Sequence, residues 1–473
     1  MPNQFIGSTE EEQAQMLIEL GIDPSAGVEA AIQKLYDQRV PPGHQFSGNL
    51  PILGNAISEF EVRKLIASLA GQNIDFNPSA MFLGAGHYSR IIPTAVGRIT
   101  GNGKWETPYT PYQPEIAGGI LLAISEFEAY VSAISGMPIA NAGTYHGSNS
   151  LAEAALMACR ITENTKILVS DAIHPNALLN LQTYFAPKAF EIEIVPTTLG
   201  TTTAKSIEER VDSNTAAVII QNPNFYGLLD GMQGQSSAIH NGKTLFISYG
   251  GGDQMSLVIS KTPAEYGADI YAAEFQHFGL ELGLGGPHVG ALAIKDPRPR
   301  GHIRQMPGRL VIKTKDLLGN DANVLGIQRR EQHISRDKAT SNACTTQTLM
   351  SVQGVVYFAI MGPQGLDQAA NQSYHLAHYV ANEFSQIPGF ENVHNQPFFN
   401  EFLVKTPIAA YYIVDDMARQ GILSGVPLSR AFPNVGFDPH LMLVAVTEIN
   451  NDAAIITTMI NGMKRYATTR PAP

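Results

Sequence analysis

The sequence predicts an α/β protein that combines a large domain, built on a mostly parallel sheet, with a smaller C-terminal α+β domain. Short apolar runs rich in β-branched residues recur with helices or loops between them: residues 166–170, 192–195, 216–221 and 244–248. Short apolar strands separated by crossovers are typical of a buried parallel sheet. After the Met-Pro-Gly break at residues 306–308 the pattern turns helical, and a smaller α+β unit follows from about residue 369.

Residues 1–79 are predicted to form a helical arm. Thr9 and Glu12 have the spacing of a capping box, Met16, Leu17 and Leu20 share one face, and a glycine at position 21 ends the pattern. Up to about residue 79, short helical patterns alternate with proline and glycine breaks, as in an arm lying across another domain. The large domain is expected over residues 80–310, with a helix at residues 122–134.

The remaining residues, 311–473, are predicted to hold a helical connection and the small domain. Residues 339–366 carry no charge over a length that spans a bilayer. Their many Thr, Ser, Asn and Gln residues favour a helix buried in protein, which Gly362-Pro363 is expected to stop. Later strands are expected at residues 402–404, 421–423 and 441–446, before a loose tail.

Composition limits the possible partners. Hydrophobic residues make up 44% of the 473 residues but charged residues only 15%, which favours an oligomer whose surface is partly covered. The formal net charge is −11, without a dense basic run, so neither nucleic acid nor an anionic membrane is an expected partner. Two cysteines, Cys159 and Cys344, are read as buried small hydrophobes in a reducing cytoplasm, and the N-terminus does not resemble a signal peptide.

Residues 109–115 (YTPYQPE) combine two phenols, a hydroxyl, an amide and a carboxylate with two prolines that restrict the backbone. Such a polar loop is costly to bury without partners, so it suits the lining of a wet cavity or an interface. A well hydrogen-bonded turn explains the same seven residues equally well, and the loop alone does not separate the two interpretations.

This loop is one of many motifs shared with a known family. The motifs run in the family's order from near the N-terminus to residue 448: FLGAG (82–86), YTPYQPE (109–115), LAEAALMA (151–158), QNPNF (221–225), EYGADI (265–270), RQMPGR (304–309), REQHI (330–334), ATSN (339–342), PFFNEF (397–402) and VTE (446–448). On these motifs the chain resembles the glycine decarboxylase P-proteins of the glycine cleavage system, and among them the α-type subunit, subunit 1.

The resemblance implies a fold-type-I architecture of pyridoxal-phosphate (PLP) enzymes, similar to aspartate aminotransferase. It implies a paralogous β-type partner subunit, which would hold PLP. The implied reaction releases CO2 from glycine and transfers the aminomethyl group to the lipoyl arm of H-protein. No metal is expected. Two alternatives stay open: a paralogue recruited to another amino acid or carrier, and a scaffold subunit without a direct catalytic role.

The Schiff-base lysine of the β-type subunits is missing. Counting back from Gly285-Gly286-Pro287, the matching position is Gln276, whose amide cannot form a Schiff base. No lysine lies between Lys261 and Lys295, and Lys261 falls in a loop where it is expected to be solvated. The chain is therefore expected to be the non-aldimine subunit, and a self-sufficient PLP enzyme is disfavoured.

Other parts of the family's cofactor pocket remain as expected vestiges. Asp253 matches the strand-end aspartate and is expected to be a surface carboxylate that caps a turn. His146, Gly147 and Ser148 precede a helix, where their backbone N–H groups can hold a phosphate or the segment can simply cap the helix. His174 matches a family histidine, and a core histidine satisfied by backbone is the alternative. The departures from the family pattern cluster in this region, which favours the recruited-paralogue alternative.

The resemblance also suggests residues that line the active site or the α/β interface. A basic cluster of Arg330, His333, Arg336 and Lys338 precedes the uncharged stretch. A solvated helix face is the usual meaning of such a cluster, and its place in the family favours an interface. Glu115 is expected to orient the loop without touching substrate. The full expected lining comprises Tyr109, Thr110, Tyr112, Gln113, Glu115, Arg330, His333, Ser341 and Asn342.

Overall fold

A computed structural model of the protein describes residues 7–46, 48, 57–108, 110–240, 242–283, 285–295, 302–343 and 346–467. The chain separates into two compact units, residues 1–75 and 76–473. The predicted domain boundaries at 79/80 and 310/311 stay predictions.

The first unit is helical, with α1 at Glu10–Glu19, α2 at Val28–Arg39 and α3 at Glu59–Ala70. The predicted capping box is present, because the Glu12 amide donates to Thr9 Oγ1 and the Thr9 amide donates to Glu12 Oε2. Of the three residues expected on one buried face, only Leu17 is buried, while Met16 and Leu20 are more than half exposed. The predicted helix is therefore confirmed, but fewer of its apolar side chains are buried than expected.

The second unit is built on a sheet of seven strands in the order β1-β7-β6-β5-β4-β2-β3. The strands are β1 (Ile139–Ala140), β2 (Lys166–Ser170), β3 (Glu191–Val195), β4 (Thr215–Gln221), β5 (Leu245–Gly250), β6 (Ile270–Glu274) and β7 (Gly290–Ile294). Strands β2 to β6 pair in parallel, whereas β7 is antiparallel to both of its neighbours. The predicted parallel sheet is confirmed, and its four predicted runs are β2 to β5.

Helices cover both faces of this sheet: α4 (Thr94–Thr100), α5 (Pro114–Ser135), α6 (Gly147–Thr162), α7 (Pro175–Phe185), α8 (Ala204–Glu208) and α9 (Gln233–Ile239). Successive residues of a strand point to opposite faces, so Ile167 and Val169 join the core under α6 and α7 while Leu168 joins the opposite core with α5. Cys159 is buried on the α6 face, as expected, and Cys344 lies outside the described residues.

The segment after residue 308 does not become helical at once, so that prediction is wrong. It forms a hairpin of β8 (Leu310–Lys315) and β9 (Asp321–Gly326), and only then the short helix α10 (Gln332–Ser335). The turn of the hairpin contains Gly319 at a φ of 85°, a conformation that favours glycine. One apolar edge of the hairpin packs on α5, where Leu325 is buried, and this tertiary contact stabilises the strands.

The uncharged stretch lies in the long helix α11 (Thr348–Ser385), so the prediction of a buried helix is confirmed for its helical part. Val352 is almost fully buried. The first helical segment begins later than residue 339 and ends at Gly362, whose φ of 60° and ψ of 179° are not helical. Pro363 starts a second helical segment, where its missing N–H group costs no hydrogen bond, so the predicted stop at Gly362-Pro363 is confirmed.

The small α+β part follows. Its antiparallel sheet has the order β10-β11-β13-β12 and contains β10 (Glu391–Asn392), β11 (Glu401–Lys405), β12 (Val426–Pro427) and β13 (Leu441–Ala445). Its helices are α12 (Ala410–Ala418), α13 (Leu428–Ala431) and α14 (Ala453–Lys464). The predicted strands at 402–404 and 441–446 are confirmed, whereas residues 421–423 contribute only an isolated bridge from Leu423 to Met81.

Among the described residues, one helix is long and apolar enough to span a bilayer, and it is α5. Leu121, Ile124 and Phe127 of this helix are buried in the core beside α11 and the hairpin. A long apolar helix with buried side chains is typical of the core of a large α/β domain.

The central strand β5 offers a test of where the core lies. Phe246 is fully buried on this strand, so Phe246→Ala should lower the free energy of unfolding by about 3–5 kcal/mol in chemical denaturation. Leu318→Ala is the control, because Leu318 is 87% exposed in the hairpin turn and its loss should cost less than about 0.5 kcal/mol. Equal losses would contradict the assigned core.

Candidate functional site

A cavity of about 570 Å³ opens at the carboxyl-terminal edge of the large sheet. It lies where β5 and β6 end, where β7 begins, and in front of the first turns of α6 and α7. Ala431 and Phe432 of the small domain close one side. Ligands of open α/β sheets bind outside the carboxyl ends of the strands, so this cavity is the candidate site.

Histidines surround the cavity. Of the 13 histidines in the chain, four line it: His87, His146, His174 and His288. A fifth, His277, is fully buried, and burial lowers its pKa well below the usual range. Neither lysine nor arginine is found among the described lining residues. The described wall therefore offers imidazole nitrogens but no permanent positive charge.

Two of these histidines are engaged by the backbone. The Asn176 amide donates to His174 Nδ1 at 3.1 Å, so the proton lies on Nε2, which donates to the Ala85 carbonyl at 3.0 Å. Burial lowers the pKa of His174 to about 4, so the ring is neutral near pH 7. Of the two interpretations left open by the sequence, a histidine satisfied by backbone is the one that the geometry supports.

The segment at the start of α6 acts as a helix cap. The Asn149 amide donates to His146 Nδ1 at 3.2 Å, and Ser148 Oγ lies 2.9 Å from the same nitrogen. The Gly147 amide donates to Glu274 Oε2 at 2.9 Å. A carboxylate thus accepts the amide that was expected to meet a phosphate, and the capping interpretation is the one that the structure supports.

Glu274 ends β6 at the wall of the cavity and is 5% exposed. Its Oε1 accepts the amides of Phe275 and Gln276 at 3.1 and 3.0 Å, in addition to the bond from Gly147. Burial raises the pKa of its carboxyl to about 7, against the opposing effect of the three backbone amides. Among the described residues, the hydrogen bonds to the Glu274 carboxyl come from backbone N–H groups.

Gln276 is buried behind the cavity and is not part of its described lining. Its Oε1 accepts the Tyr88 amide at 2.9 Å, and its Nε2 donates to the carbonyls of Tyr88 at 3.1 Å and Leu280 at 2.7 Å. At the position predicted to match the Schiff-base lysine, the chain therefore has an amide that binds the loop of residues 82–93 to the segment after β6.

Arg90, in the same loop, lies at the centre of a buried ion network. Its side chain is 1% exposed and forms ion pairs with Asp253, shortly after β5, and with Glu448, shortly after β13. Burial alone would lower the pKa of Arg90, but the two carboxylates outweigh it and raise the pKa. Ser373 Oγ donates to Glu448 Oε2 at 3.1 Å, so α11 joins the network.

The expectation of a surface carboxylate at Asp253 is wrong, because this residue is 1% exposed. Its expected capping role is present, since Asp253 Oδ1 accepts the Met255 amide at 3.0 Å. Its other oxygen binds Arg90 and accepts Asn400 Nδ2 at 2.8 Å. A buried carboxylate needs a paired cation, and Arg90 supplies it from a loop that is distant in sequence.

A second group of polar residues, here called the Tyr112 cluster, contains Tyr112, Arg309, Glu331 and His333. The Tyr112 hydroxyl accepts Arg309 Nη2 at 2.8 Å, and Arg309 Cζ lies 5.1 Å from the centroid of the tyrosine ring. Glu331 Oε2 lies 3.4 Å from Arg309 Nε, and the His333 ring packs edge-on to Tyr112 at 5.5 Å. Two of the expected lining residues therefore meet here, with Tyr112 41% exposed.

The rest of the polar loop leads into α5. The Thr110 carbonyl accepts the Tyr112 amide at 2.8 Å, and the Gln113 carbonyl accepts the first amides of the helix. Gln113 and Glu115 are exposed, and Tyr109 lies outside the described residues. The loop is thus a hydrogen-bonded turn that presents side chains to solvent, and none of its described residues lines the cavity.

The expected lining residues near the uncharged stretch do not share one surface. Arg330 is only 8% exposed, and its guanidinium donates to the carbonyls of Ile327 and Gly308. The prediction of a solvated helix face is therefore wrong for this residue. Ser341 Oγ donates to Glu153 Oε1 at 2.7 Å, which ties its segment to α6, and Asn342 is exposed.

Comparison with known proteins identifies the family. A profile described as "Glycine cleavage system P-protein" matches residues 3–459. The chain belongs to the glycine cleavage system P-protein family. A P-protein relative named "Probable glycine dehydrogenase (decarboxylating) subunit 1" in Chlorobaculum parvum is 39% identical over 446 residues, which cover 94% of this chain and 96% of the relative. The protein of the same name in Moorella thermoacetica is 36% identical, with the same coverage.

Solved structures confirm the fold-type-I prediction. A crystal structure of glycine decarboxylase (P-protein) of the glycine cleavage system, in inhibitor-bound form, has a TM-score of 0.85 and 33% identity, covering 98% of this chain and 100% of that chain. Sphingosine-1-phosphate lyase of Burkholderia pseudomallei has a TM-score of 0.64 at 15% identity, covering 90% and 95%. A C-DES variant with glycine linked to its PLP cofactor has a TM-score of 0.59 at 15%, covering 86% and 99%. The last two likenesses show the fold alone.

The residues present in this P-protein chain do not fit a covalently held PLP. Gln276 is engaged by backbone groups, the described cavity lining contains no lysine, and Lys261 is exposed. Asp253 is paired with Arg90, so it is not free to meet a pyridine nitrogen. The Gly147 amide is taken by a carboxylate rather than being open to a phosphate.

Several residues of these sites were not predicted. His87 directly follows the FLGAG motif and Arg90 comes three residues later, Arg309 ends RQMPGR, and Glu331 lies in REQHI. The signal that could have identified these residues is a charged or titratable side chain inside or beside a shared motif. His288 directly follows Gly285-Gly286-Pro287, whereas Glu274 lies in none of the shared motifs, and the pairing of β6 with β7 places the two together at the cavity.

Replacing Arg90, which pairs with both buried carboxylates, tests how much this ion network stabilises the fold. Arg90→Met leaves Asp253 and Glu448 buried without a counter-charge, which should lower the free energy of unfolding by about 3–5 kcal/mol. The control is Arg63→Met, because the Arg63–Glu59 pair is exposed and should contribute less than about 1 kcal/mol. Chemical denaturation at pH 7 measures both, and a similar small loss in the two variants would contradict the network's role.

Proposed function

We propose that this chain is the α-type subunit of a PLP-dependent glycine decarboxylase, and that a β-type partner subunit holds PLP on its own lysine. The complex releases CO2 from glycine and transfers the aminomethyl group to the lipoyl arm of H-protein. The observation that carries this proposal is Gln276, an amide that binds the Tyr88 and Leu280 backbone at the position of the lysine. The names of the relatives, which specify subunit 1, support a partner subunit.

The surface of the chain supports such a partner. Helix α3 in the first unit buries none of its described residues, and its apolar side chains Phe60, Leu65, Ile66 and Leu69 are each at least half exposed. An amphipathic helix of this kind is stabilised when another surface covers its apolar side. We assign that cover to the β-type subunit, and we place the complex in the cytoplasm.

Within the complex, we assign the Tyr112 cluster to the entrance of the partner's PLP pocket. A swinging lipoyl arm needs an entrance that excludes bulk water from the reacting carbon, because water would protonate it. Arg309 and Glu331 hold the Tyr112 phenol in position, so little ordering cost remains when the entrance closes. Thr110 and Gln113 offer a hydroxyl and an amide beside it, and Glu115 stays outside contact with substrate.

The assignment of PLP to the partner predicts a simple labelling result. PLP added to the isolated chain, followed by borohydride, should leave no stoichiometric reduced adduct on this chain, because Gln276 cannot form a Schiff base. The complex with a β-type subunit should carry one adduct, located by mass spectrometry on the partner. A stoichiometric adduct on this chain would overturn the proposal.

The Tyr112 assignment predicts a loss of turnover without a loss of assembly. Tyr112→Phe should reduce kcat/KM of the complex by the equivalent of about 1–3 kcal/mol if the hydroxyl bonds a reacting group. Light scattering should show the complex intact. Tyr379→Phe is the control, because Tyr379 is 50% exposed on α11 and its change should leave kcat/KM unaltered.

The same assay separates the two alternatives. A scaffold subunit would assemble and turn over unchanged with Tyr112→Phe. A recruited paralogue would assemble and be active with another amino acid or carrier but not with glycine and H-protein, and the four histidines of the cavity wall favour this alternative over the scaffold.

A further inference from the structure

Three residues at the cavity wall have the geometry of a metal-ligand set. One ligand atom each from His87, Glu274 and His288 lies within 4.8 Å of the others. The His87 and His288 rings face each other, with centroids 4.6 Å apart and an interplanar angle of 35°. The three residues come from the loop before α4, the end of β6 and the segment before β7, so the fold assembles them from separate parts of the chain.

The donors have unused capacity at this point. His288 Nε2 is buried and has no hydrogen-bond partner among the described residues. Glu274 Oε2 accepts one backbone amide, which leaves a further lone pair on that oxygen. An unpaired buried imidazole nitrogen is costly, and so is a buried carboxylate whose hydrogen bonds from the described residues come only from backbone amides. A shared cation would relieve both costs.

We propose that His87, Glu274 and His288 form a binding site for Zn²⁺ or a closely similar divalent transition-metal ion, opening into the cavity. Two imidazoles and one carboxylate are ligands that such ions prefer, and a set of three leaves a position for water or a small anionic ligand. This proposal does not depend on the proposed function.

The distances allow this assignment with a small adjustment. Ligand atoms around a tetrahedral zinc ion lie about 3.4 Å apart, given Zn–N and Zn–O distances of about 2.0–2.2 Å. Glu274 is held by three amides, so the closing movement falls to His87, which is exposed at the rim of the cavity. The Glu274 hydrogen bonds also position its carboxylate, as partners of metal ligands commonly do.

The competing explanation is a phosphate or another anion held by protonated histidines. The buried Glu274 carboxylate opposes it, because an anion at this wall would meet a like charge. The Gly147 amide, the helix-start donor at this wall, is already bonded to that carboxylate. The charge balance of the wall therefore favours a cation.

The test uses the untagged full-length chain, stripped with a chelator and dialysed. Titration with Zn²⁺ should show one equivalent bound, and Co²⁺ should give the visible absorption of a site with nitrogen and oxygen ligands. His87→Ala and His288→Ala should each weaken binding by about 10–100-fold or more, because each removes a ligand. His375→Ala is the control, since His375 is exposed on α11 away from the cavity lining, and it should bind as the parent chain does.

The exposed position of His87 keeps the test decisive, because His87→Ala is not expected to disturb the fold. Thermal unfolding of the metal-free variants checks this directly. The proposal is overturned if the parent chain binds no stoichiometric Zn²⁺, or if His87→Ala and His288→Ala bind it as tightly as the His375→Ala control.

Discussion

The ion network around Arg90 is the interaction on which the arrangement of the second unit depends. One guanidinium joins a loop, the end of the large sheet and the end of the small sheet, because it pairs with Asp253 and Glu448. Burying these charges is expensive unless all of them are paired and hydrogen-bonded. Only a close approach of the three segments satisfies that condition, so the network selects one arrangement.

The same loop determines the shape of the cavity. Residues 82–93 are held by Arg90 at one point and by the Gln276 amide at another. Tyr88 adds a third anchor, since its hydroxyl donates to Glu401 Oε2 at 2.8 Å. His87 directly precedes Tyr88, and the geometry of the cavity rim thus follows from contacts that lie outside it.

Much of the fold could be predicted because buried parallel strands have a distinct sequence pattern. Strands β2 to β5 are apolar on both faces, and their runs stand out. Strand β6, which contains small alanines, and the half-exposed hairpin of β8 and β9 lack such a pattern, and the residues of the hairpin predict a helix instead. The hairpin is stabilised by its contact with α5, which no local pattern records.

The sequence alone determined the family and predicted that Gln276 replaces the Schiff-base lysine, because an ordered set of motifs and an amide at position 276 do not depend on tertiary structure. Tertiary structure decided which side chains share a site. Asp253 is buried beside a cation 163 positions away, and Glu274 and His288 meet His87 across a sheet edge. The physical reason is that long-range pairing of polar groups depends on how strands and loops cross, whereas local patterns record only burial and periodicity.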